Sequence, residues 1–140
     1  MSMLIAGCYE RFLFGFKHDD LAGKSQGDEV ALDKAFSYPA HQNVVKCLTA
    51  AGRYMVSGGA DDQMHLYDLV SGKDLSFLMN PGDGAVTCVH LFAPLGTPHP
   101  TNLLSGSQDG QIHIWKASCD PCRMIPLCTP IRPSRCNLPG

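Results

Sequence analysis

The sequence has no apolar run approaching the roughly 18 residues of a membrane-crossing helix, so no segment of it reads as a helical span. It has no surplus of either charge. Eleven Lys and Arg against thirteen Asp and Glu leave a formal net charge of −2. The broad basic field expected of a general nucleic-acid binder is missing, and direct nucleic-acid binding is not expected. The stretch Met1 to Phe16 is apolar, but Glu10 and Arg11 interrupt it. It also lacks a basic start and a small-residue cleavage site, and it reads as a strand pair rather than a signal peptide. A cytosolic or nuclear compartment with reduced thiols is the corresponding expectation. Seven cysteines, an odd number, argue against a closed disulfide framework. What is present is 44% hydrophobic residues in 140, enough to bury a core if the chain pairs fully into strands.

One unit recurs. Residues 4–17 (LIAGCYERFLFGFK), 55–68 (MVSGGADDQMHLYD) and 103–116 (LLSGSQDGQIHIWK) align without gaps, at offsets of 51 and 48. Each opens with two apolar residues, a small residue and a glycine: Gly7, Gly58 and Gly106. An acid follows three positions later: Glu10, Asp61 and Asp109. Each closes in an alternating apolar run ending on an aromatic: Phe16, Tyr67 and Trp115. In the third unit, Leu103–Ser107 and Gln111–Trp115 should pair through a tight Asp-Gly turn, since Asp bonds locally to backbone and Gly accepts positive φ. Ile112 and Ile114 then face one side of the second strand, His113 and Trp115 the other. Bulky groups on both sides imply a strand covered on both faces.

A further strand precedes each later unit, Asn43–Thr49 and Ala85–Phe92. Cys47 to Cys88 is 41 residues, the spacing expected of a WD40 repeat. The longer 48-residue offset reflects seven inserted residues in the Pro- and Gly-rich stretch Ala93–Asn102, a surface loop. The expected fold is therefore all-β, a partial WD40 β-propeller of about two to three blades. The repeat region covers 3–116, with units around 4–17, 43–79 and 85–116 and loops at 18–34 and 93–102. An irregular Pro/Cys-rich, non-repeat tail fills 117–140.

Some WD40 blades bury a hydrogen-bonded set of His, Ser or Thr, Asp and an aromatic donor. A buried Asp needs donors, which His and Ser supply. The middle unit offers His41, Ser57, Asp61 and Tyr67. The third offers Ser105, Asp109 and Trp115, with Gly82 where a histidine would stand. The first, with Ala6 and Glu10, has no such set. A nucleophilic reading of the Ser/His/Asp trio is disfavoured, because no strained elbow surrounds Ser57 and the repeat accounts for all three residues.

Other candidate chemistry is thin. Gly23-Lys24-Ser25 resembles the end of a phosphate loop, but His18 stands where the motif needs glycine. The adjacent acids Asp19-Asp20 and Asp61-Asp62 point apart and make no acid–base couple. His65 and His113 hold matching repeat positions, and strand packing explains them better than metal. In the tail, Cys119 and Cys122 form one close pair, with Cys128 and Cys136 beyond. Zinc prefers two such pairs. No cofactor or metal is expected. A metal or redox protein acting through the tail is the alternative from another class. Five prolines (Pro121, Pro126, Pro130, Pro133 and Pro139) should prevent a regular ladder there.

The opening MLIAGCYERFLFGF, then SGGADDQMHLYDL (57–69) and SGSQDGQIHIW (105–115), resemble the p21-activated protein kinase-interacting proteins, WD40 proteins related to a yeast ribosome-assembly factor. The likeness spans residues 3–116. It implies a seven-bladed, non-enzymatic scaffold of the nucleus and nucleolus. The implied partners are pre-60S ribosome assembly factors and p21-activated kinase, whose signalling members restrain. The likeness stops after Lys116, where further blades and a lysine-rich tail would follow. A truncated or altered form is therefore expected, for which a cytoplasmic place and a non-functional fragment are both open. A generic WD40 adaptor for another complex is the remaining alternative.

Overall fold

The computed structural model describes residues 2–18, 31–96, 99–117 and 124–126. The described residues form eleven strands in three antiparallel sheets. The first sheet is β1 (Ser2–Gly7), β2 (Phe12–His18) and β3 (Asp33–Pro39). The second is β4 (Val45–Ala51), β5 (Tyr54–Gly59), β6 (Gln63–Asp68) and β7 (Lys73–Met79), in that order. The third is β8 (Val86–Phe92), β9 (Asn102–Ser107), β10 (Ile112–Ala117) and β11 (Met124–Pro126). Each sheet is a meander of neighbouring strands, and the sheets stack in sequence as an arc of a propeller.

The repeat seen in the sequence is also a repeat of pairing. Leu4 lies opposite Phe16, Met55 opposite Tyr67, and Leu103 opposite Trp115. The turn after the aligned acid carries positive φ in all three units: Arg11 at 66°, Asp62 at 60° and Gly110 at 83°. Only the third unit fills that left-handed place with the residue that takes it without strain. Bulges recur as well, between Gly15 and Phe16 and between Leu66 and Tyr67.

Because side chains alternate across a strand, each sheet has two faces. Val56, Met64 and Leu66 on one face of the second sheet pack with Val86, Leu91, Leu103 and Trp115 of the third. Met55 and Tyr67 on its opposite face pack with Leu13 and Ala40 of the first sheet and its connection. The aligned glycines make this approach close. A Cβ on Gly7 would lie 2.7 Å from Val45 Cγ1, and one on Gly58 would lie 2.7 Å from Val86 Cγ1.

Three expectations need correction. Ile112 and Ile114 were expected to be covered. Ile112 is 41% exposed and Ile114 half-buried, because no further sheet packs on that face among the described residues. The connection 18–34 is shorter than expected: His18 ends β2, while Asp33 and Lys34 begin β3, where they pair with Lys17 and Phe16. The alternation of Phe36 and Tyr38 was the available signal for β3. Finally, the proline-rich stretch after Lys116 does contribute an outer strand, of three residues, with Met124, Ile125 and Pro126 opposite Ala117, Lys116 and Trp115. A proline is tolerated at such an edge. Cys119, Cys122, Cys128 and Cys136 lie outside the described residues, as does Gly23-Lys24-Ser25.

Candidate functional site: the polar clusters at the sheet tops

The middle sheet gathers all four of its expected residues. His41 enters from the connection after β3, Ser57 from β5, Asp61 from the β5–β6 turn and Tyr67 from β6. His41 Nε2 lies 2.7 Å from Ser57 Oγ, and Nδ1 lies 3.0 and 3.1 Å from the two Asp61 carboxylate oxygens. The Ser57 and Tyr67 hydroxyl oxygens are 3.4 Å apart. Asp61 also accepts the Gln42 and Gln63 backbone N–H groups, at 2.8 and 3.3 Å. His41, Ser57 and Tyr67 are buried. With Nδ1–H turned to the carboxylate, Nε2 accepts the Ser57 hydroxyl, so a neutral ring satisfies both neighbours.

The electrostatics agree with that assignment. Burial lowers the His41 pKa, outweighing the pull of Asp61 in the other direction. Burial alone would raise the Asp61 carboxyl. The Gln42 N–H, His41 and the Gln63 N–H together outweigh it and hold the group below its ordinary value. Burial likewise pushes the Tyr67 hydroxyl up to about 12.

The third sheet joins only part of its set. The Trp115 Nε1–H donates to Ser105 Oγ at 2.9 Å, with both residues buried. Asp109 is exposed and stands apart from that pair, accepting the Asp83 and Gln111 backbone N–H groups at 3.1 Å each. The Asp83 N–H is the chief cause of its lowered pKa. Gly82 occupies the place of the missing histidine: a Cβ there would lie 2.7 Å from Asp109 Oδ2 and 3.0 Å from Ser107 Oγ.

Two residues not singled out in the sequence fill this gap. Asn80 Nδ2 donates to Ser107 Oγ and to the Gly84 carbonyl, each at 3.0 Å, and Ser107 Oγ donates to the Asp83 carbonyl at 3.1 Å. Ser107 is the repeat equivalent of Gly59, 48 positions earlier. A Cβ on Gly59 would lie 2.5 Å from His41 Nδ1. The imidazole in one sheet and the serine hydroxymethyl in the other therefore claim the same space. A second missed pair is Arg53 and Asp68. Arg53 Nε donates to Asp68 Oδ1 at 3.0 Å and Nη2 donates to Oδ2, while Asp68 also caps the Val70 N–H. The chief cause of the strongly lowered Asp68 pKa is Arg53.

The paired histidines differ. His65 contacts Asp74 through Nδ1 at 3.2 Å and Gln63 through Nε2 at 3.3 Å, and packs edge-on against the His41 ring. His113 is buried, and its Nε2 has no hydrogen-bond partner among the described residues. No group of three or more His, Cys, Asp or Glu suited to a metal occurs among the described residues. Nor does any described helix have the length and apolarity to cross a membrane.

The chain is similar to known proteins. The sequence pattern of the family described as "WD domain, G-beta repeat" matches residues 33–68 and 72–116. The p21-activated protein kinase-interacting protein 1-like protein of Gallus gallus is 31% identical over 119 residues, 85% of this chain and 29% of its own. The protein of that name from Danio rerio is 29% identical over the same shares. Protein MAK11 of Saccharomyces cerevisiae is 32% identical over 91 residues, 58% of this chain and 22% of its own. This chain thus spans less than a third of the length of these relatives. Among solved structures, a chain of the mitotic checkpoint complex matches 95% of this chain and 36% of its own, at a TM-score of 0.67 and 17% identity. The computationally designed Ika8 protein matches 81% and 30%, at 0.60 and 19%.

Proposed function

The chain belongs to the WD40 repeat family, and from that premise we propose that it is a non-enzymatic, protein-binding scaffold of large-ribosomal-subunit assembly that also engages p21-activated kinases and restrains their signalling. Its place of action is the nucleus and nucleolus. The observation that carries this reading is the likeness to p21-activated kinase-interacting proteins over 85% of the chain. The relation to Protein MAK11 supports the ribosomal half of it.

The polar clusters fit a scaffold. Ser57 is 0% and His41 4% exposed, so the Ser/His/Asp trio offers no path for a substrate. We assign His41, Ser57, Asp61 and Tyr67, with Ser105, Asp109 and Trp115, a structural role: the first four and Asp109 tie a connection to the sheet it enters, and Trp115 with Ser105 links two neighbouring strands. Buried and mutually satisfied groups of this kind rigidify a domain.

Affinity purification of the tagged 140-residue chain from eukaryotic cells, read by mass spectrometry, tests the proposal. The expected result is enrichment of pre-60S assembly factors, together with direct calorimetric binding to the regulatory region of a p21-activated kinase. Recovery of an unrelated complex with neither class present would overturn it in favour of a generic adaptor.

A further inference from the structure

The three sheets end on equivalent strands, β3, β7 and β11, each with an outer edge that has no strand partner among the described residues. An unpaired edge is a template for another strand, and proteins blunt it with proline or with short length. Two of these edges are blunted. β3 closes on Pro39, and β11 has three residues of which the last is Pro126. β7, with seven residues and no proline, is not. The register shows what it carries instead. In the first sheet Phe12 and Phe14 lie opposite Pro39 and Ser37. Their equivalents 51 positions on, Gln63 and His65, lie opposite Met79 and Phe77. The large apolar side chains have moved from the inner strand to the edge, where Phe77 is 59% and Met79 54% exposed. This exposure belongs to the middle sheet, which has a neighbouring sheet on each face. Asp74 shares the face of Phe77. It lies opposite Tyr67, and its carboxylate reaches His65 Nδ1 at 3.2 Å while staying 46% exposed. Along one face the edge therefore presents an acid and then two apolar groups.

We propose that the outer edge of β7 takes an extended segment of a partner protein as a fifth, antiparallel strand, and that this segment reads apolar–x–apolar–x–Lys or Arg from its N-terminal end. Ladder hydrogen bonds hold such a strand, and its alternate side chains select it. The two apolar groups cover Met79 and Phe77, and the cation meets Asp74. A carboxylate in the last place is disfavoured, because like charges opposed across a ladder repel. The proposal rests on the reading of the chain as a protein-binding scaffold and adds to it the kind of segment bound.

The test is a nuclear magnetic resonance titration of the isotope-labelled 140-residue chain with the blocked peptide Thr-Val-Thr-Val-Thr-Lys-Thr, and with the same peptide carrying Glu for Lys. The backbone amides of β7 should shift and saturate, and the Glu peptide should bind about fivefold more weakly. Asp74→Lys should invert that preference. Phe77→Ser, which installs the residue of the first sheet's edge, should weaken both peptides about fivefold. Both positions are exposed, and far-UV circular dichroism checks that both variants keep their strands. Unmoved β7 amides overturn the proposal, as does a preference that Asp74→Lys leaves unchanged. Shifts of β7 that grow with chain concentration in the absence of peptide would place a second copy on the edge, and overturn it too. A failed titration alongside recovered pre-60S factors removes this edge and leaves the scaffold. A bound peptide without those factors leaves the edge and removes those partners.

Discussion

The middle and third sheets begin from the same repeat and solve the same packing problem with opposite residues. In the middle sheet an imidazole lies over a glycine: His41 sits over Gly59, where a Cβ would clash with its ring. In the third sheet the glycine has moved to the connection and the side chain to the strand: Gly82 faces Ser107, which Asn80 then supports. Equivalent places are filled in both sheets, while the groups that fill them are exchanged. A residue missing from a repeat is thus not a hole if its repeat-mate has grown. The sheets differ in cover as well. The middle one is packed on both faces, the third on one.

The difference in cover should produce the largest effect. Met64→Ala removes a side chain held between two sheets and should cost about 2–5 kcal/mol. Ile112→Ala, a truncation to alanine at the equivalent place on the more exposed face, should cost about 1 kcal/mol or less. Urea denaturation of both variants measures the ratio, and equal losses would mean that the two faces are covered alike.

The polar clusters should separate next. His41→Ala removes the 2.7 Å partner of the fully buried Ser57 hydroxyl, leaving it only Tyr67 at 3.4 Å, and bares one side of Asp61, for an expected loss of about 2–3 kcal/mol. Asn80→Ala in the third sheet should lose roughly half as much, because Ser107 keeps the Asp83 carbonyl as its partner. The exchange itself can be tested by a double-mutant cycle. Gly82→His alone must displace the Ser107 hydroxymethyl, whereas Gly82→His with Ser107→Gly rebuilds the middle-sheet arrangement. A favourable coupling of about 1 kcal/mol between the two substitutions is expected, and additivity would show that they do not share one space.

The smallest effect is on pH dependence. His41 has a lowered pKa in the folded chain, chiefly through burial. Below its unfolded value of about 6.5 the unfolded chain takes up a proton that the folded chain resists. The stability this group contributes is therefore complete above about pH 6.5 and is lost as pH falls through the folded value. Asp61, also lowered, works in the same sense at more acid pH. Denaturation midpoints measured between pH 7.5 and 5 should fall for the wild-type chain, and fall less for His41→Asn. Parallel curves would mean that another group carries the slope.

The sites were legible in the sequence to the extent that they obey the repeat. Ser57, Asp61 and Tyr67 stand out because a 48-residue offset relates them to Ser105, Asp109 and Trp115, and a shared offset implies a shared place; His41, whose repeat position holds Gly82, stands out only by its place before the first strand of the unit. Asn80 and Ser107 were not legible, because they matter only as substitutes within a volume, and volume has no period. The Arg53–Asp68 pair was equally hidden, since it joins the ends of β5 and β6 and recurs in neither neighbouring unit. The outer strand Met124–Pro126 lay within a stretch whose prolines argue against pairing, and three ladder positions proved compatible with them.

By itself the sequence determined the units, their turns and the two-sidedness of each strand, because alternation is a property of the extended backbone that any strand-forming segment carries. It placed Ile112 and Ile114 on one side and His113 and Trp115 on the other. Only the tertiary structure decided which of those sides is buried, because cover depends on a neighbouring sheet, and among the described residues the third sheet has one on a single side. Trp115 meets the middle sheet and is 4% exposed, while Ile112, three residues away on the same strand, meets none and is 41% exposed.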